Sequence, residues 1–266
     1  MKQRLILLAA GICMAIGLSA QADTETDDTN AKKSKDKNSS EKQPRNLFKM
    51  NLPGIALKTY SFQYERVLTK RISLALGYGT MPKGPVPLKS TLLKALADED
   101  PELKEILEKL QTSNYTITPE LRFYLGKKGY GRGFYLAPYY RYGSFTVSDF
   151  VVNYENNMGV KNSINLSGKL TSNTGGILIG AQASLGKHIG LDFWILGAHY
   201  GKAKGNFDGV SNKPLTADEQ QDLRDEINSL DIGELKATVN ANGATLLYDN
   251  GPWGGLRAGL CLVFKF

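Results

Sequence analysis

The sequence predicts an all-β fold, an antiparallel up-and-down transmembrane β-barrel of about eight strands with helical segments in long extracellular loops. The last segment, Leu256 to Phe266, alternates apolar residues with mixed ones. After residue 22, no apolar run approaches the roughly 20 residues of a membrane helix. Membrane strands need only about 9 to 11 residues with every second one apolar. The predicted connections also alternate between short and long, as they do in outer-membrane barrels.

Residues 1–22 are predicted to form a secretory signal peptide, which directs Sec-type export and is removed. Lys2 and Arg4 precede an apolar run from Leu5 to Leu18, and Ala20-Gln21-Ala22 offers an A-x-A cleavage site. The run is too short to cross a hydrocarbon core of about 30 Å as a helix. We therefore expect no membrane anchor at this end.

Cleavage decides the cysteine count and the charge of the mature chain. A lipid anchor at Cys13 is the alternative, but a lipobox has a small residue before its cysteine and Ile12 is large. Cleavage leaves Cys261 as the only cysteine, so no internal disulfide can form. It also removes 2 of the 33 Lys and Arg residues and none of the 26 acidic ones, which lowers the net charge from +7 to +5. This spread charge argues against nucleic acid and is compatible with anionic lipid headgroups.

Residues 23–45 form a separate region without one large apolar side chain. Such a segment cannot bury enough surface to offset the entropy of ordering it, which predicts a disordered periplasmic linker. Acidic residues come first and basic residues second, so a periplasmic contact segment is the alternative. The barrel domain is predicted to cover residues 46–266.

The first three predicted strands form up-and-down pairs. A short strand from Asn46 to Leu52 ends at Pro53-Gly54, a dipeptide typical of turns. The second strand, Ala56 to Arg66, and the third, Ile72 to Thr80, each have a polar or small face that suits the barrel interior. The residues predicted to face inward are Thr59, Ser61, Gln63 and Glu65 in the second strand and Ser73, Ala75, Gly77 and Gly79 in the third.

Five further strands complete the predicted barrel. The fourth runs from Tyr115 to Leu125, and the fifth starts at Phe134 and extends past the bilayer toward Phe150. The sixth ends near Leu185, the seventh spans Ile189 to Tyr200, and the eighth spans Trp253 to Phe266. The facing of the seventh strand stays open, because both of its sides are largely apolar. The short first strand makes the number of strands even.

Short turns are predicted at Leu68–Arg71, Gly126–Gly133 and Gly186–His188, and long connections at Met81–Asn114, Val151–Ser163 and Lys202–Pro252. Outer-membrane barrels keep their short turns on the periplasmic side and their long loops outside. An even number of strands then places both termini in the periplasm.

Two of the long connections contain helical patterns. In the first, Asp100 can cap a helix that starts at Pro101. In the last, Thr216 and Glu219 have capping-box spacing. The apolar faces of these helices carry Leu103, Ile106, Leu107 and Leu110 in the first and Leu223, Ile227 and Leu230 in the last. Each face either packs on its own loop and the barrel rim, or binds a partner or covers the barrel mouth.

The last connection also contains a predicted hairpin, Glu234 to Val239 and Ala244 to Tyr248, around Asn242-Gly243. Each arm is shorter than the roughly 9 residues of a membrane-spanning strand. We therefore expect the hairpin to lie outside the membrane.

The chain resembles small outer-membrane barrels of the OmpA, OmpX and OmpW transmembrane type. The resemblance rests on Trp253–Phe266 and on the stretch Lys49–Gly79, which has an opening Asn-Leu turn and a Tyr-Glu pair before the first short turn. It implies a barrel fold and recognition by the barrel-assembly machinery, and it carries no catalytic signature. The implied assembly signal comprises Leu260, Leu262, Phe264 and Phe266. The loops are larger and more helical than in the simplest members of this class.

Six charged residues are predicted to share the barrel interior, namely Lys49, Glu65, Glu120, Arg122, Arg141 and Arg257. Buried charges need partners, because an unpaired one is costly. We interpret the set as a salt-bridge network that plugs the lumen; a polar path for small solutes is the alternative. An eight-stranded barrel is only just wide enough for its own side chains, which disfavours an aqueous channel.

The sequence offers little for catalysis. Its two histidines, His188 and His199, are far apart in the predicted topology, and no His-x-Ser arrangement follows His199 as it does in lipid A deacylase barrels. Pairing of His199 with Asp208 is the remaining catalytic option. The Gly129-x-Gly131-x-Gly133 pattern lies in a hairpin turn and not between a strand and a helix, so it is no phosphate loop. We expect no enzyme, no cofactor and no metal site.

The expected function is a structural or loop-mediated binding role in the outer membrane of a Gram-negative cell envelope. The expected partners are outer-membrane lipids, the barrel-assembly machinery and a protein bound through loops 81–114 and 202–252, with no nucleic acid. Narrow porin-like or lateral transport of small or hydrophobic molecules is the alternative function, and a lipid- or peptide-modifying enzyme is a further one. A soluble, lipocalin-like barrel is the alternative fold and would be apolar inside and polar outside.

Overall fold

The fold of the chain is an antiparallel up-and-down β-barrel, which confirms the predicted fold class. The computed structural model describes residues 44–96, 101–155, 161–228 and 234–266. Its strands are β1 (Asn46–Asn51), β2 (Tyr60–Val67), β3 (Ile72–Pro85), β4 (Gln111–Tyr124), β5 (Gly133–Glu155), β6 (Lys161–Ser184), β7 (Ile189–Ser211), β8 (Leu235–Asn240) and β9 (Gly243–Lys265). Its helices are α1 (Leu52–Ala56), α2 (Lys89–Leu96), α3 (Pro101–Lys109) and α4 (Ala217–Asn228). The predicted signal peptide and all but the last two residues of the predicted linker lie outside the described residues.

The barrel closes because β1 pairs with both β2 and β9. Neighbouring strands follow the chain order from β1 to β7, then β9, and β8 is added to the other edge of β9. In β1, Leu47 lies opposite Glu65 on one side and opposite Lys265 on the other. The two ends of the barrel domain also meet: the Asn46 amide donates to the Phe266 carbonyl at 3.2 Å, and the Phe266 amide donates back at 3.0 Å.

The strands bury polar residues and expose apolar ones. In β2, Gln63 and Glu65 are buried and Tyr64 is exposed, as the sequence predicts. In β3, Ser73 is fully buried whereas Leu74 is 51% exposed. This arrangement is the opposite of a soluble lipocalin-like barrel, so that alternative is wrong.

A β-bulge explains the apolar appearance of both sides of β7. Ile195 and Leu196 are both exposed, at 52% and 49%, and the pairing with β9 shifts between Trp194 and Gly197. Asp192 and Trp194 face inward before the bulge, and Gly197 is buried after it. The extra residue changes the phase of the strand, which a strict two-residue alternation does not reveal.

Strands extend far into the predicted connections Val151–Ser163 and Lys202–Pro252, so the predicted strand ends are wrong there, whereas Met81–Asn114 holds the helices α2 and α3. β6 has 24 residues and β9 has 23, far more than the roughly 9 to 11 of a membrane span. The predicted hairpin is present as β8 and the beginning of β9, but its second arm continues directly into the last barrel strand. The apolar alternation stops near Tyr200 and Trp253, yet the hydrogen-bonded ladder continues with polar outward residues. The sequence signal therefore marks the end of the apolar belt and not the end of the strand.

Helix α1 replaces the turn predicted at Pro53-Gly54. The Asn51 side chain caps it by accepting from the Gly54 amide at 3.4 Å. A Cβ atom on Gly54 would lie 2.6 Å from the Thr59 carbonyl oxygen, so the tight return of the chain into β2 requires glycine here.

Helices α3 and α4 are present as predicted and pack on their own connections. Leu107 of α3 and Leu110, which directly follows the helix, contact Val86 and are buried against the β5 side chains Val147 and Phe150. In α4, the partly buried apolar residues are Leu223 and Ile227, which pack on Leu215, Val239 and Ala244. Asp100 and Leu230 lie outside the described residues. Within the described ranges, no helix is both long enough and apolar enough to cross a membrane.

The capping box of α4 provides a local test. The Thr216 amide donates to Glu219 Oε2 at 2.8 Å, and the Glu219 amide donates to Thr216 Oγ1 at 3.3 Å. We expect Thr216→Ala to destabilise α4 by about 1 kcal/mol, since an amide at the helix start loses its acceptor. Hydrogen exchange of the α4 amides measures the effect. Ser90→Ala in α2 is the control, and equal protection of α4 in both variants would contradict the capping role.

A buried ion-pair layer across the barrel

Five strands bring charged side chains into one layer of the barrel interior. β1 supplies Lys49, β2 supplies Glu65, β7 supplies Asp192 and β9 supplies Arg257. β4 supplies two residues of the layer, Glu120 and Arg122, which follow the two-residue period of the strand and therefore share its inner face.

Lys49 is held by carboxylates from opposite sides of the ring. Its Nζ lies 2.7 Å from Asp192 Oδ2 and also pairs with Glu65. The Gln182 side chain accepts a further hydrogen bond from Nζ at 2.6 Å. The three donor positions of the ammonium group are thus used by three strands, β2, β6 and β7.

Arg122 is the centre of the layer. Its Nη1 lies 2.7 Å from Asp192 Oδ2 and 3.3 Å from Glu65 Oε2. Its Nη2 donates to Glu120 Oε2 at 2.9 Å and to the Gln63 side chain at 2.7 Å. Glu120 in turn pairs with Arg257. One guanidinium group therefore connects all three carboxylates of the layer.

Aromatic residues complete the environment of the charges. The Tyr124 hydroxyl donates to Glu65 at 2.7 Å, and the Tyr135 hydroxyl donates to Asp192 Oδ1 at 2.7 Å. The Arg122 guanidinium lies 4.4 Å from the ring centre of Tyr135, and the Arg257 guanidinium lies 3.8 Å from that of Trp194. These contacts supply hydrogen bonds and cation–π attraction where water is excluded.

The layer is dry and electrically balanced. The paired side chains of Lys49, Glu65, Glu120, Arg122 and Asp192 have no exposed surface, and that of Arg257 is 6% exposed. Its three cations, Lys49, Arg122 and Arg257, oppose its three anions, Glu65, Glu120 and Asp192. Because each charge has at least one opposite partner, none bears the cost of unpaired burial.

An apolar seal lies between this layer and the end of the barrel that carries the short turns. Leu47, Val67 and Val263 form a buried cluster, and Tyr130 packs against it from the β4–β5 turn. The Gln182 side chain donates to the Gly131 carbonyl at 2.6 Å, which ties this turn to the ion-pair layer. The turn therefore folds under the barrel and closes that end.

The structure brings five of the six predicted lumen charges together and leaves Arg141 outside the layer. Arg141 is half-buried, and no ion pair to it is found among the described residues. Nearby, the Tyr139 hydroxyl and His199 Nδ1 lie 3.1 Å apart. Asp192, Gln63 and Gln182 belong to the layer but are not among the predicted lumen charges, although the sequence predicts that both glutamines face inward. Asp192 lies on the predicted seventh strand, for which the sequence does not identify the inward face, and the two glutamines are uncharged.

The remaining predicted site residues lie on the outer face or apart from one another. Leu260, Leu262, Phe264 and Phe266, the predicted assembly signal, alternate with buried residues, and Phe264 and Phe266 are 41% and 63% exposed. Asp208 accepts from Thr245 Oγ1 at 2.9 Å, and His188 Nδ1 lies 3.2 Å from the Lys265 carbonyl oxygen. The described residues contain no group of three His, Cys, Asp or Glu side chains that could hold a metal ion.

The comparisons with known proteins include a distant structural similarity. No family model and no curated protein matches the sequence significantly. The crystal structure of CarO2 from Acinetobacter baumannii is similar at 13% identity and a TM-score of 0.37, covering 84% of this chain and 99% of that one. This similarity is too distant to assign a family, so the fold rests on the strand topology and register.

Proposed function

We propose that the chain is an outer-membrane β-barrel with a plugged lumen, whose role is structural or depends on binding through its extramembrane part. The observation that carries the proposal is the ion-pair layer. Six charged side chains from five strands meet across the interior with almost no exposed surface. A path for water or ions would have to break these pairs, and the proposal assigns no catalytic step to the chain.

The outer surface supports the membrane part of the proposal. Leu76 is 55% exposed, Ile117 42% and Ile177 60%, on three different strands. Soluble monomers rarely expose a continuous apolar belt of this kind, whereas lipid-facing barrel strands require one. Four of the outward tyrosines lie on the side of the belt away from the short turns, where a membrane interface would place them, namely Tyr60, Tyr78, Tyr140 and Tyr200.

The orientation follows from the same features. The chain ends of the barrel and the short turns share one end, and outer-membrane barrels direct that end to the periplasm. We therefore place both termini in the periplasm. The strands β5, β6, β7 and β9 would then continue outside the cell well beyond an apolar band of about 25 Å.

This external extension is the proposed binding region, with 81–114 and 202–252 as its outermost parts. Helices α3 and α4 use their described apolar faces to pack on the extension itself. The outer face of β5, β6 and β7 carries an open groove with a volume of about 570 Å³. Ser148, Asn165, Lys169 and Asp208 line it together with the apolar side chains of Val147 and Val210, so the partner that we propose presents both polar and apolar groups.

Electrical recording tests the plugged lumen. We expect no discrete conductance steps when the purified chain is added to a planar lipid bilayer, because the ion-pair layer and the apolar seal both block the axis. A porin of known conductance in the same bilayer is the positive control. Reproducible channels from the folded chain would contradict the proposal and favour the transport alternative.

Lateral transport through the barrel wall is the second form of the transport alternative. One structural feature of the wall bears on it. The ladder between β1 and β9 ends at Asn51 and Cys261, and α1 packs against β9 above it. A hydrophobic molecule would have to pass α1. Flux of a small fluorescent solute and of an apolar dye into protein-containing liposomes measures both routes, and we expect rates equal to those of empty liposomes.

A further inference from the structure

The short-turn end of the barrel carries a ring of basic residues, here called the basic rim. All three short turns contribute to it, as do the segments that enter β1 and leave β2. The rim consists of Arg45, Arg66, Lys70, Arg71, Lys127, Lys128, Arg132 and Lys187. All are exposed except Arg132, which is half-buried. Among the described residues at this end, no Asp or Glu side chain is exposed, since Glu65 and Asp192 are inside the ion-pair layer.

The other end of the barrel differs in charge pattern. There, Lys83 pairs with Asp149 at 3.6 Å between two exposed side chains. Helix α4 alternates acidic residues with Arg224 and carries Asp218 and Glu219 in its first turn. Mixed charges of this kind create little net field, whereas the rim is a ring of one sign.

The rim also adjoins highly exposed apolar side chains of the short-turn end. Leu125 and Phe134, on either side of the β4–β5 turn, are both 62% exposed. Leu185, next to Lys187, is 66% exposed. A cation beside an outward apolar side chain, repeated around the ring, matches the boundary between acyl chains and headgroups of one leaflet.

The backbone fixes the position of the lysines in the largest short turn. Gly129, Tyr130 and Gly131 have φ values of +61°, +51° and +71°, and the Tyr130 amide donates to the Lys70 carbonyl at 2.9 Å. With Tyr130 packed inward, Lys127 and Lys128 are left at the surface. Two neighbouring short turns are thereby joined into one ordered basic surface.

We infer that the basic rim binds the phosphate groups of anionic phospholipids, of the phosphatidylglycerol type, in the leaflet that faces the short-turn end. The inference rests on the proposed membrane insertion. A ring at the edge of the apolar belt can contact many headgroups at once, whereas a peptide or nucleic acid would favour a continuous patch or groove. Clustered Lys and Arg residues close to a membrane are attracted to anionic headgroups and lose this attraction when salt screens them.

Spin-labelled lipids test the inference. The full mature chain is reconstituted in phosphatidylcholine vesicles with traces of spin-labelled phosphatidylglycerol or phosphatidylcholine of identical acyl chains. The fraction of each label that the protein immobilises gives its relative association constant. We expect phosphatidylglycerol to be preferred about threefold or more at low salt, and less at roughly 0.5 M salt.

Two matched variants locate the preference. The rim variant replaces Lys70, Arg71, Lys127 and Lys128 by Gln, and the control variant replaces Lys169, Lys202, Lys204 and Lys213, four exposed cations of the other end. We expect the preference to approach unity in the rim variant and to stay unchanged in the control. Both variants alter only exposed side chains, so both should fold, and the heat-dependent mobility shift of barrels on gels verifies this.

Every other outcome contradicts either the lipid inference or the proposed membrane insertion. Equal immobilisation of both lipids, or an unchanged preference in the rim variant, refutes the lipid inference and leaves membrane insertion intact. Loss of the preference on addition of roughly 10 mM inorganic phosphate, at constant ionic strength, would show a free-phosphate site in its place. Immobilisation of neither lipid would instead refute the proposed membrane insertion itself.

Discussion

Replacing Arg122 by Met is expected to lower the free energy of unfolding by about 3–5 kcal/mol, because three carboxylates then lose a common cationic partner inside a dry interior. Arg122 contacts Asp192 and Glu65 through Nη1 and Glu120 through Nη2, and its side chain is fully buried. Urea titration of the barrel in detergent, followed by tryptophan fluorescence and by gel mobility without boiling, measures the loss.

Two further variants distinguish the effect of losing the ion pairs from the effect of losing a long side chain. Arg141→Met removes an arginine that is half-buried and outside the layer, and we expect it to cost less than about 1 kcal/mol. Arg122→Met leaves one excess negative charge in the layer, and Asp192→Asn in the same chain removes it. The double variant should therefore lose less free energy of unfolding than the sum of the losses in the two single variants. Strict additivity would contradict direct coupling of the two residues.

Replacing Leu76 by Arg is expected to cost about 2–4 kcal/mol in a lipid environment, since a cation would then point into the hydrocarbon region. Leu76 is the fifth of the 14 residues of β3, lies between Tyr64 of β2 and Pro119 of β4, and is 55% exposed. Folding yield and urea stability in vesicles measure the effect.

Val210→Arg is the matched control. Val210 is 62% exposed and lies near the far end of β7, in the proposed external extension. We expect a change within about 0.5 kcal/mol, as for an ordinary surface substitution in water. Equal tolerance of both substitutions would mean that Leu76 faces water, and the proposed membrane belt would be wrong.

The sequence is sufficient to predict the fold because each barrel strand repeats one physical requirement every two residues. In β3, Leu74 and Leu76 alternate with Ser73 and Ala75, and this alternation alone determines which face is buried. The short turns follow from the same pattern, since they lie where the alternation stops and resumes. The pattern fails at Ile195 and Leu196, where one extra residue reverses the phase and conceals the inward position of Asp192.

The sequence predicts the ion-pair layer only in part. Alternation assigns Lys49, Glu65 and Arg122 to the interior, but it does not give their height along the barrel axis. That height depends on the register between strands, which places Glu65 opposite both Leu47 and Ala75. Arg141 faces the same interior and yet lies beyond the layer. The extensions of β6 and β7 are not predicted, and that of β5 is predicted only toward Phe150, because a ladder in water needs no apolar side chains on its outer face.

The pairing of β1 with β9 has a consequence for biogenesis. The ring is closed by contacts between the earliest and the latest strand of the domain, with a register that runs from Leu47 and Lys265 to Asn51 and Cys261. With the proposed export to the periplasm, β1 emerges long before its second neighbour, and its open edge is available for wrong pairing. We therefore expect the exported chain to need a chaperone until β9 arrives, and we expect truncation before β9 to yield an aggregating sheet and not a smaller barrel.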